Sequence, residues 1–262
     1  MGKIISLVNQ KGGVGKTTTS INLSASLALE GKRVLLVDLD PQGNATTGVG
    51  FNKGDIEKSV YEVFNGVSDI TEVILNTRFR GLDLLPSSLQ LAGIDIELIE
   101  KGREDPNFQK SFQFKKAIDE VRSNYDYIIV DCPPSLGLIT TNALTASDSV
   151  IIPVQCEFFA LEGITQLLNA IMLTKKKLNP NLKLEGVLLT MFDSRANLSI
   201  EVIEEIRSYF KDKVYTTLIP RLVRLAEAPS HGKPIIAYDP KSKGSLAYLN
   251  LAKEVIERNG NA

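Results

Sequence analysis

The residues with the clearest chemical pattern form a glycine-rich run: Gln10, Lys11, Gly12, Gly13, Val14, Gly15, Lys16, Thr17 and Thr18. An apolar run precedes it and a helical stretch follows it. In such a loop, glycines let consecutive backbone N–H groups converge on phosphate oxygens. Lys16 is placed to neutralise the β- and γ-phosphates, and the Thr17 hydroxyl is placed to bind Mg²⁺. The run therefore predicts a site for the phosphates of a nucleotide, with ATP and Mg²⁺ as its ligands.

The run departs from the usual phosphate-loop pattern, G-x-x-x-x-G-K-[ST], at its first position, and it carries an additional lysine. Gln10 stands where the first glycine is usual, and Lys11 adds a second lysine beside a single phosphate pocket. One lysine suffices to bind the phosphates, so the charge of Lys11 suits a more negative state. That state is either the transition state of hydrolysis or a nucleotide in a neighbouring active site.

Three aspartates stand where apolar runs end. Asp38 and Asp40 come after residues 34–37, and the alternation of side chains along a strand places both on the same side of the backbone. Asp131 directly follows residues 127–130, which is the form of a Walker B motif, with its carboxylate expected near Mg²⁺. For Asp38, a buried role in supporting the phosphate loop and a direct chemical role are equal alternatives.

The elements that must position these residues alternate along the chain. Apolar runs at residues 4–8, 34–37, 82–85, 127–130, 150–154 and 184–189 predict strands, with helical stretches between them. Gly31 is expected to end the first helix. This alternation predicts an α/β fold with a doubly wound, mostly parallel sheet and helices on both faces. Without a repeat or a linker, residues 1–262 are expected to form one domain. Ligands of such sheets bind beyond the carboxyl ends of the strands.

Composition excludes several classes of function. The chain has 262 residues, a net charge of −1, two cysteines and one histidine. So few cysteines exclude a disulfide framework or a C-x-x-C motif, and a single histidine argues against a zinc site. No apolar run is long enough to span a membrane, and no secretory signal is recognisable, so a cytoplasmic location is expected.

The run from Lys11 to Thr18 resembles the deviant Walker A box of the MinD/ParA superfamily of phosphate-loop NTPases. The resemblance implies that Lys11 crosses a dimer interface to the partner's nucleotide, so that ATP binding and dimerisation become one event. Gly12 would then lie where two protomers nearly touch. Asp40 would position the attacking water and contact the metal's water shell, with Lys11 and Lys16 stabilising charge. Turnover is expected to be slow unless a partner stimulates it.

Two later segments, residues 190–195 and 219–230, resemble chromosome- or plasmid-partitioning ATPases of the ParA/Soj type. The resemblance implies that Pro220 borders the adenine, although Leu222 replaces an asparagine that many relatives carry there. It also implies that Arg195 and Arg224 contact double-stranded DNA non-specifically in the ATP-dependent homodimer, which would associate with the nucleoid. A ParB-type centromere-binding protein would stimulate hydrolysis and release the dimer.

Other functions stay open as alternatives. A MinD-like membrane and cell-division ATPase would need a C-terminal amphipathic helix, whereas the stripe of Leu246, Leu249, Ala252 and Val255 or Ile256 suits docking on the core. An iron–sulfur carrier would need paired cysteines. A phosphate-loop biosynthetic enzyme resembling dethiobiotin synthetase would need a substrate pocket, and the two later segments argue against it. A nucleotide-dependent interaction module without a DNA role stays an alternative. Because the phosphate loop begins at Lys11, an operator-binding N-terminal region is not expected.

Overall fold

The computed structural model describes residues 1–157 and 162–260. Within these residues, seven strands form one sheet in the order β3-β4-β2-β5-β1-β6-β7. The strands are β1 (Lys3–Leu7), β2 (Val34–Asp38), β3 (Leu75–Asn76), β4 (Leu82–Leu85), β5 (Tyr127–Asp131), β6 (Ser149–Gln155) and β7 (Lys183–Thr190). Neighbouring strands pair in parallel, except that β3 runs antiparallel to β4 at one edge. The six predicted strands are confirmed, and the two-residue β3 was not predicted.

Helices fill the connections between the strands. They are α1 (Lys16–Leu29), α2 (Asn44–Gly48), α3 (Val60–Asn65), α4 (Ile70–Val73), α5 (Ile94–Glu104), α6 (Gln113–Val121), α7 (Leu138–Ala146), α8 (Glu162–Lys177), α9 (Asn197–Phe210), α10 (Val223–Glu227), α11 (Ile235–Tyr238) and α12 (Lys243–Gly260).

Alternate residues of each central strand enter opposite hydrophobic cores. Ile4 and Leu35 belong to one core, with α3 to α9. Their neighbours Ile5 and Leu36 belong to the other, with α1, α2 and α10 to α12. Because successive side chains of a strand point to opposite faces, a strand covered on both sides is apolar throughout. The predicted doubly wound sheet with helices on both faces is therefore confirmed.

Helix α1 leads from the phosphate loop across one face of the sheet. Gly15 precedes it in a left-handed conformation, with φ of 85°. At its other end, Gly31 has φ of 81°, and the N–H groups of Gly31 and Lys32 donate to the carbonyl oxygens of Ala28 and Leu27 at 3.0 and 3.1 Å. This pair of bonds is a Schellman motif, and it confirms the predicted end of the helix.

The last helix docks on the core, as the sequence predicts, but through a shifted stripe. Tyr248, Leu251 and Val255 are fully buried, whereas Leu246 is 60% exposed. The expected place of Leu246 in the docking stripe was therefore wrong, because the helix presents the face centred on Tyr248 and Leu251 to the core. Among the residues described, no helix is both long and apolar enough to cross a membrane.

Candidate functional site

The phosphate loop lies at the carboxyl end of β1 and opens outwards. Gly13 and Gly15 have φ of 75° and 85°, which favours glycine at both positions. A Cβ atom added at Gly12 or Gly13 would meet no atom within 4 Å in the described residues. Helix α1 follows directly, and no side chain caps its N-terminus. Free N–H groups at the start of a helix form a ready site for an anion such as phosphate.

Contacts with β6 and β7 hold the loop from behind. The buried Thr190 hydroxyl donates to the Val14 carbonyl oxygen at 2.8 Å. The Asn9 amide donates to the Pro153 carbonyl oxygen at 2.7 Å, and its own oxygen accepts the Lys11 N–H at 3.0 Å. The local sequence does not indicate Thr190 or Asn9 as loop supports, because both contacts join segments more than 140 residues apart.

The two lysines of the loop occupy different environments. Lys16 is only 7% exposed, and its Nζ lies 3.5 Å from the Lys11 carbonyl oxygen. Burial lowers the pKa of the Lys16 amine, an effect that the nearby Asp131 opposes. The Lys11 side chain is 44% exposed on the outer rim. Lys16 is thus buried inside the loop, whereas the Lys11 side chain lies on its rim.

Asp131 and Asp38 are fully buried at the carboxyl ends of β5 and β2. Asp38 accepts hydrogen bonds from the Thr46 N–H and hydroxyl, both at 2.8 Å, and from the Asp40 N–H at 3.2 Å. These bonds favour its supporting role over direct chemistry. Asp131 accepts a bond from the Ser20 hydroxyl at 3.0 Å through Oδ1, whereas its buried Oδ2 has no partner in the described residues. Burial raises the pKa of both carboxyls.

These groups fit a magnesium ion that is shared with a phosphate. The buried, unpartnered Oδ2 of Asp131 favours a nearby cation. Asp40 is 9% exposed, and its Oδ1 accepts the Gln42 N–H at 2.9 Å. In the described part of the chain, no cluster of three or more metal-ligating side chains occurs. A Mg²⁺ ion here would therefore rely on phosphate oxygens, the Thr17 hydroxyl and water, as Mg²⁺ commonly does.

A mostly apolar pocket of about 370 Å³ adjoins the loop. Its lining includes Gly15, Thr18, Met191, Pro220, Leu222, Val223 and Tyr248. Pro220 reaches this place because it bridges to Phe192, just beyond β7. The pocket suits a flat aromatic base whose phosphates extend towards the loop. Sequence analysis identified Pro220 and Leu222 at this position but did not identify Met191 or Tyr248.

The two arginines that are expected to contact DNA are exposed, but each lies against an acidic side chain. Arg195 is 88% exposed and binds both carboxylate oxygens of Asp193, at 2.9 and 2.8 Å. Arg224 is 59% exposed, lies 3.4 Å from Glu227 and stands over the ring of Tyr238. The loops that carry them are joined, since the Arg221 N–H donates to the Phe192 carbonyl oxygen at 3.0 Å.

A larger cavity lies away from all these residues. It has a volume of about 710 Å³ and is lined by the end of α1, by residues 78–81 and by part of α11. None of the predicted site residues contributes to it. The phosphate loop, its aspartates and the adjoining apolar pocket therefore form the candidate site, although a larger cavity exists elsewhere.

A phosphate loop at the carboxyl end of a central parallel strand, with a buried lysine and an aspartate at the end of a nearby strand, defines a phosphate-loop nucleotide-binding protein. The family model of an AAA domain matches residues 2–184. The sporulation initiation inhibitor protein Soj of Bacillus subtilis is 61% identical over 97% of this chain and 98% of its own length. The chromosome partitioning protein ParA of Myxococcus xanthus is 51% identical over 99% and 89%. The chain belongs to the ParA/Soj family of partitioning ATPases.

Solved structures share the fold. A cobyrinic acid a,c-diamide synthase from Mycobacterium smegmatis with bound ADP and magnesium has a TM-score of 0.87 and 35% identity, covering 99% of this chain and 96% of that one. The septum site-determining protein MinD of Pyrococcus horikoshii, complexed with Mg-ADP, has a TM-score of 0.82 and 27% identity, covering 100% and 98%. The same fold therefore occurs in a synthase and in a septum site-determining protein, so the fold alone does not define the activity of this chain.

Proposed function

We propose that the chain is an ATP-hydrolysing switch that dimerises on ATP, binds double-stranded DNA non-specifically as the dimer and drives DNA segregation with a ParB-type partner. One observation carries the dimer: Lys16 is buried towards its own phosphate site, whereas Lys11 lies on the exposed rim of the same loop. The partitioning relatives, which match along almost the whole chain, support the segregation role. Residues 1–262 act as one domain, in the cytoplasm and on the nucleoid when ATP is bound.

The residue roles follow the positions of the groups. The phosphate loop and Lys16 bind the phosphates of ATP, and the pocket at Pro220 takes the adenine. Thr17, Asp40 and Asp131 hold Mg²⁺ directly or through its water shell, and the ion supplies charge stabilisation when it is bound. Asp40 orients the attacking water. Lys11 reaches the partner's nucleotide across an interface that passes close to Gly12.

Four variants separate these roles. Lys16→Ala is expected to abolish nucleotide binding, and Arg195→Glu to lose DNA binding while keeping ATPase activity. Asp40→Ala is expected to bind ATP and trap the dimer, so normal hydrolysis by this variant would contradict the mechanism. Gly12→Val is expected to bind ATP as a monomer, because nothing within the described chain lies near a side chain at this position.

The deciding experiment is a gel-shift assay of Asp40→Ala protein on non-specific duplex DNA, with ATP, ADP or neither, at two salt concentrations. Binding that needs ATP and weakens with salt supports a nucleotide-gated DNA-binding dimer, because phosphate contacts release counterions. If ATP dimers form, as checked by sedimentation, but bind no DNA at low salt, the segregation role is excluded.

A biosynthetic role is the second candidate, because the synthase structure is 35% identical to this chain. Such an enzyme couples ATP hydrolysis to the conversion of a small substrate. ATPase activity that rises with DNA and a ParB-type protein, in the absence of any small acceptor, would favour the partitioning role. Activity that rises only with a carboxylic-acid acceptor would favour the biosynthetic one.

A further inference from the structure

In the single chain, the Lys11 side chain forms an ion pair. Its Nζ lies 3.3 Å from Oε2 of Glu157, and the two side chains are 44% and 49% exposed. Glu157 comes two residues after the end of β6, in a segment that the sequence pattern did not mark as functional. The ion pair therefore places a carboxylate beside the one loop lysine that points away from its own phosphate site.

Both partners of this pair are anchored. Glu157 Oε1 accepts a hydrogen bond from the Gln155 side chain at 2.6 Å, and the Glu157 N–H donates to the Gln155 carbonyl oxygen at 2.8 Å. On the other side, the Lys11 N–H donates to the Asn9 side chain, which is itself bound to the Pro153 carbonyl oxygen of β6. These hydrogen bonds fix the backbone of Lys11 near the end of β1 and that of Glu157 near the end of β6. The fold itself therefore brings the two charged side chains together.

We propose that Glu157 is a positioning residue for Lys11. In the single chain it holds the Lys11 ammonium group outside its own phosphate pocket, and it must release that group before Lys11 can contact the nucleotide of a second chain. The inference rests on the proposed function, which assigns Lys11 to the partner's nucleotide. It adds that the Lys11–Glu157 ion pair of each chain must break before the dimer forms.

The charges around the loop explain why such a hold is useful. Lys16 already occupies the pocket of its own chain, but the negative phosphates of a bound nucleotide would still attract a second ammonium group into it. Glu157 gives Lys11 an alternative partner at the rim. A single chain with bound nucleotide is then kept from satisfying its phosphates with both lysines, which leaves Lys11 for the partner.

The Lys11–Glu157 ion pair is expected to be weak, because both side chains are about half exposed. An exposed ion pair of this kind changes an equilibrium by about two- to fivefold. Since two chains each release one pair, removal of the carboxylate is expected to favour the ATP dimer by about four- to twenty-fivefold. The effect should shrink at high salt, where screening weakens exposed pairs.

The contact itself is tested in the nucleotide-free full-length protein. Reductive methylation of lysines is followed by mass spectrometry in the wild type, in Glu157→Gln and in Glu72→Gln. The last variant removes a comparable exposed pair, Lys58–Glu72 at 2.7 Å, far from the loop in sequence. Lys11 is expected to react faster only in Glu157→Gln, and Lys58 only in Glu72→Gln. Equal rates for Lys11 in all three proteins would overturn the proposal.

The consequence is tested by sedimentation velocity with Mg²⁺ and a non-hydrolysable ATP analogue, over a range of protein and salt concentrations. Glu157→Gln is expected to dimerise at lower concentration than the wild type, Glu157→Asp to lie between them and Glu72→Gln to match the wild type. The gap should close as salt rises. Nucleotide affinity of a Gly12→Val background should be the same with and without Glu157→Gln.

The outcomes separate the two proposals. If the wild type dimerises but Glu157→Gln dimerises equally or less, Glu157 does not restrain Lys11, and the inference fails while the proposed function stands. If the wild type forms no dimer with the ATP analogue, the proposed function itself fails. If the wild type forms no dimer but Lys11 is methylated faster in Glu157→Gln, the ion pair exists but has no role in dimerisation.

Discussion

Arg195 and Asp193 form a two-pronged ion pair on the surface, with nitrogen–oxygen distances of 2.9 and 2.8 Å. The Arg195 guanidinium lowers the pKa of Asp193 to about 2, so this carboxylate stays charged at physiological pH. The two N–H groups that Arg195 donates to this carboxylate are the same groups that a guanidinium donates to a DNA phosphate. If Arg195 contacts DNA as proposed, Asp193 competes with the DNA phosphates for it.

Replacement of Asp193 by asparagine is expected to tighten DNA binding by the ATP dimer. The change frees Arg195 and removes a negative charge that would repel the phosphates, so affinity at low salt should rise about two- to fivefold. Fluorescence anisotropy with a labelled non-specific duplex measures the effect.

Asp212→Asn is the matched control for this variant, because Asp212 is 84% exposed and lies in a different loop. It removes the same charge without freeing Arg195. If both variants raise DNA affinity equally, net charge alone explains the gain. If Asp193→Asn weakens binding, Asp193 must help to orient Arg195 instead of competing for it.

Replacement of Thr190 by valine should loosen the phosphate loop. The buried hydroxyl donates to the Val14 carbonyl oxygen at 2.8 Å, and valine keeps the shape without the bond. Loss of a buried hydrogen bond costs about 1–2 kcal/mol, which corresponds to roughly five- to thirtyfold in an equilibrium. Calorimetric titration with ATP is expected to give weaker binding by an amount within this range.

Thr145→Val tests whether the loss is specific to the loop. The Thr145 hydroxyl is also buried and donates to the Thr141 carbonyl oxygen at 2.7 Å, but this bond lies within α7. Similar thermal destabilisation of both variants, with ATP affinity lowered only in Thr190→Val, would support the role of Thr190. Equal ATP affinities would contradict it.

Gly186→Ala is expected to destabilise the fold. A Cβ atom there would lie 2.7 Å from the Tyr215 ring and 2.8 Å from the Lys213 carbonyl oxygen. Overpacking of this kind costs about 1–3 kcal/mol of unfolding free energy. Urea denaturation measures it, with Gly260→Ala as control because no atom of the described residues lies within 4 Å of a Cβ there. Equal stability of the two variants would contradict the close packing.

Local sequence was sufficient for much of the fold and for the centre of the site. Residues 34–37 and 127–130 predict buried strands because a strand covered on both faces carries apolar residues throughout. The phosphate loop is a continuous segment, so its conformation and its position before α1 follow from neighbouring residues. The same holds for Gly31, whose backbone conformation ends α1.

Features that depend on distant contacts were not predictable in the same way. Val14 and Thr190 are 176 residues apart, and nothing near either residue indicates that they touch. Leu246 lies on an apolar stripe of α12, yet the rotation of that helix is set by the packing of Tyr248 and Leu251 on the core. The two-residue β3 is too short to show a period, so only its pairing with β4 defines it as a strand.

Leu222 should determine how strictly the site selects its base. The side chain is half-buried and lines the apolar pocket beside the loop, so it offers a base contact surface but no hydrogen bond. A pocket without a polar partner discriminates weakly between bases that differ in their hydrogen-bonding groups, whereas one matched group discriminates strongly. The wild type is therefore expected to prefer ATP over GTP only modestly at this position. Leu222→Asn should increase that preference about fivefold, since one additional neutral hydrogen bond contributes about 1 kcal/mol.

Competition between ATP and GTP for a fluorescent nucleotide measures this preference, with Leu222→Ala as the control that removes the apolar contact without adding a polar group. Leu222→Ala is expected to weaken both nucleotides alike, because stacking on an aliphatic side chain does not depend on which base is bound. Leu222→Asn should instead separate them. If the asparagine variant binds ATP and GTP in the wild-type ratio, the base does not lie against Leu222. The adenine would then have to be sought along another wall of the pocket, nearer to Met191 and Tyr248.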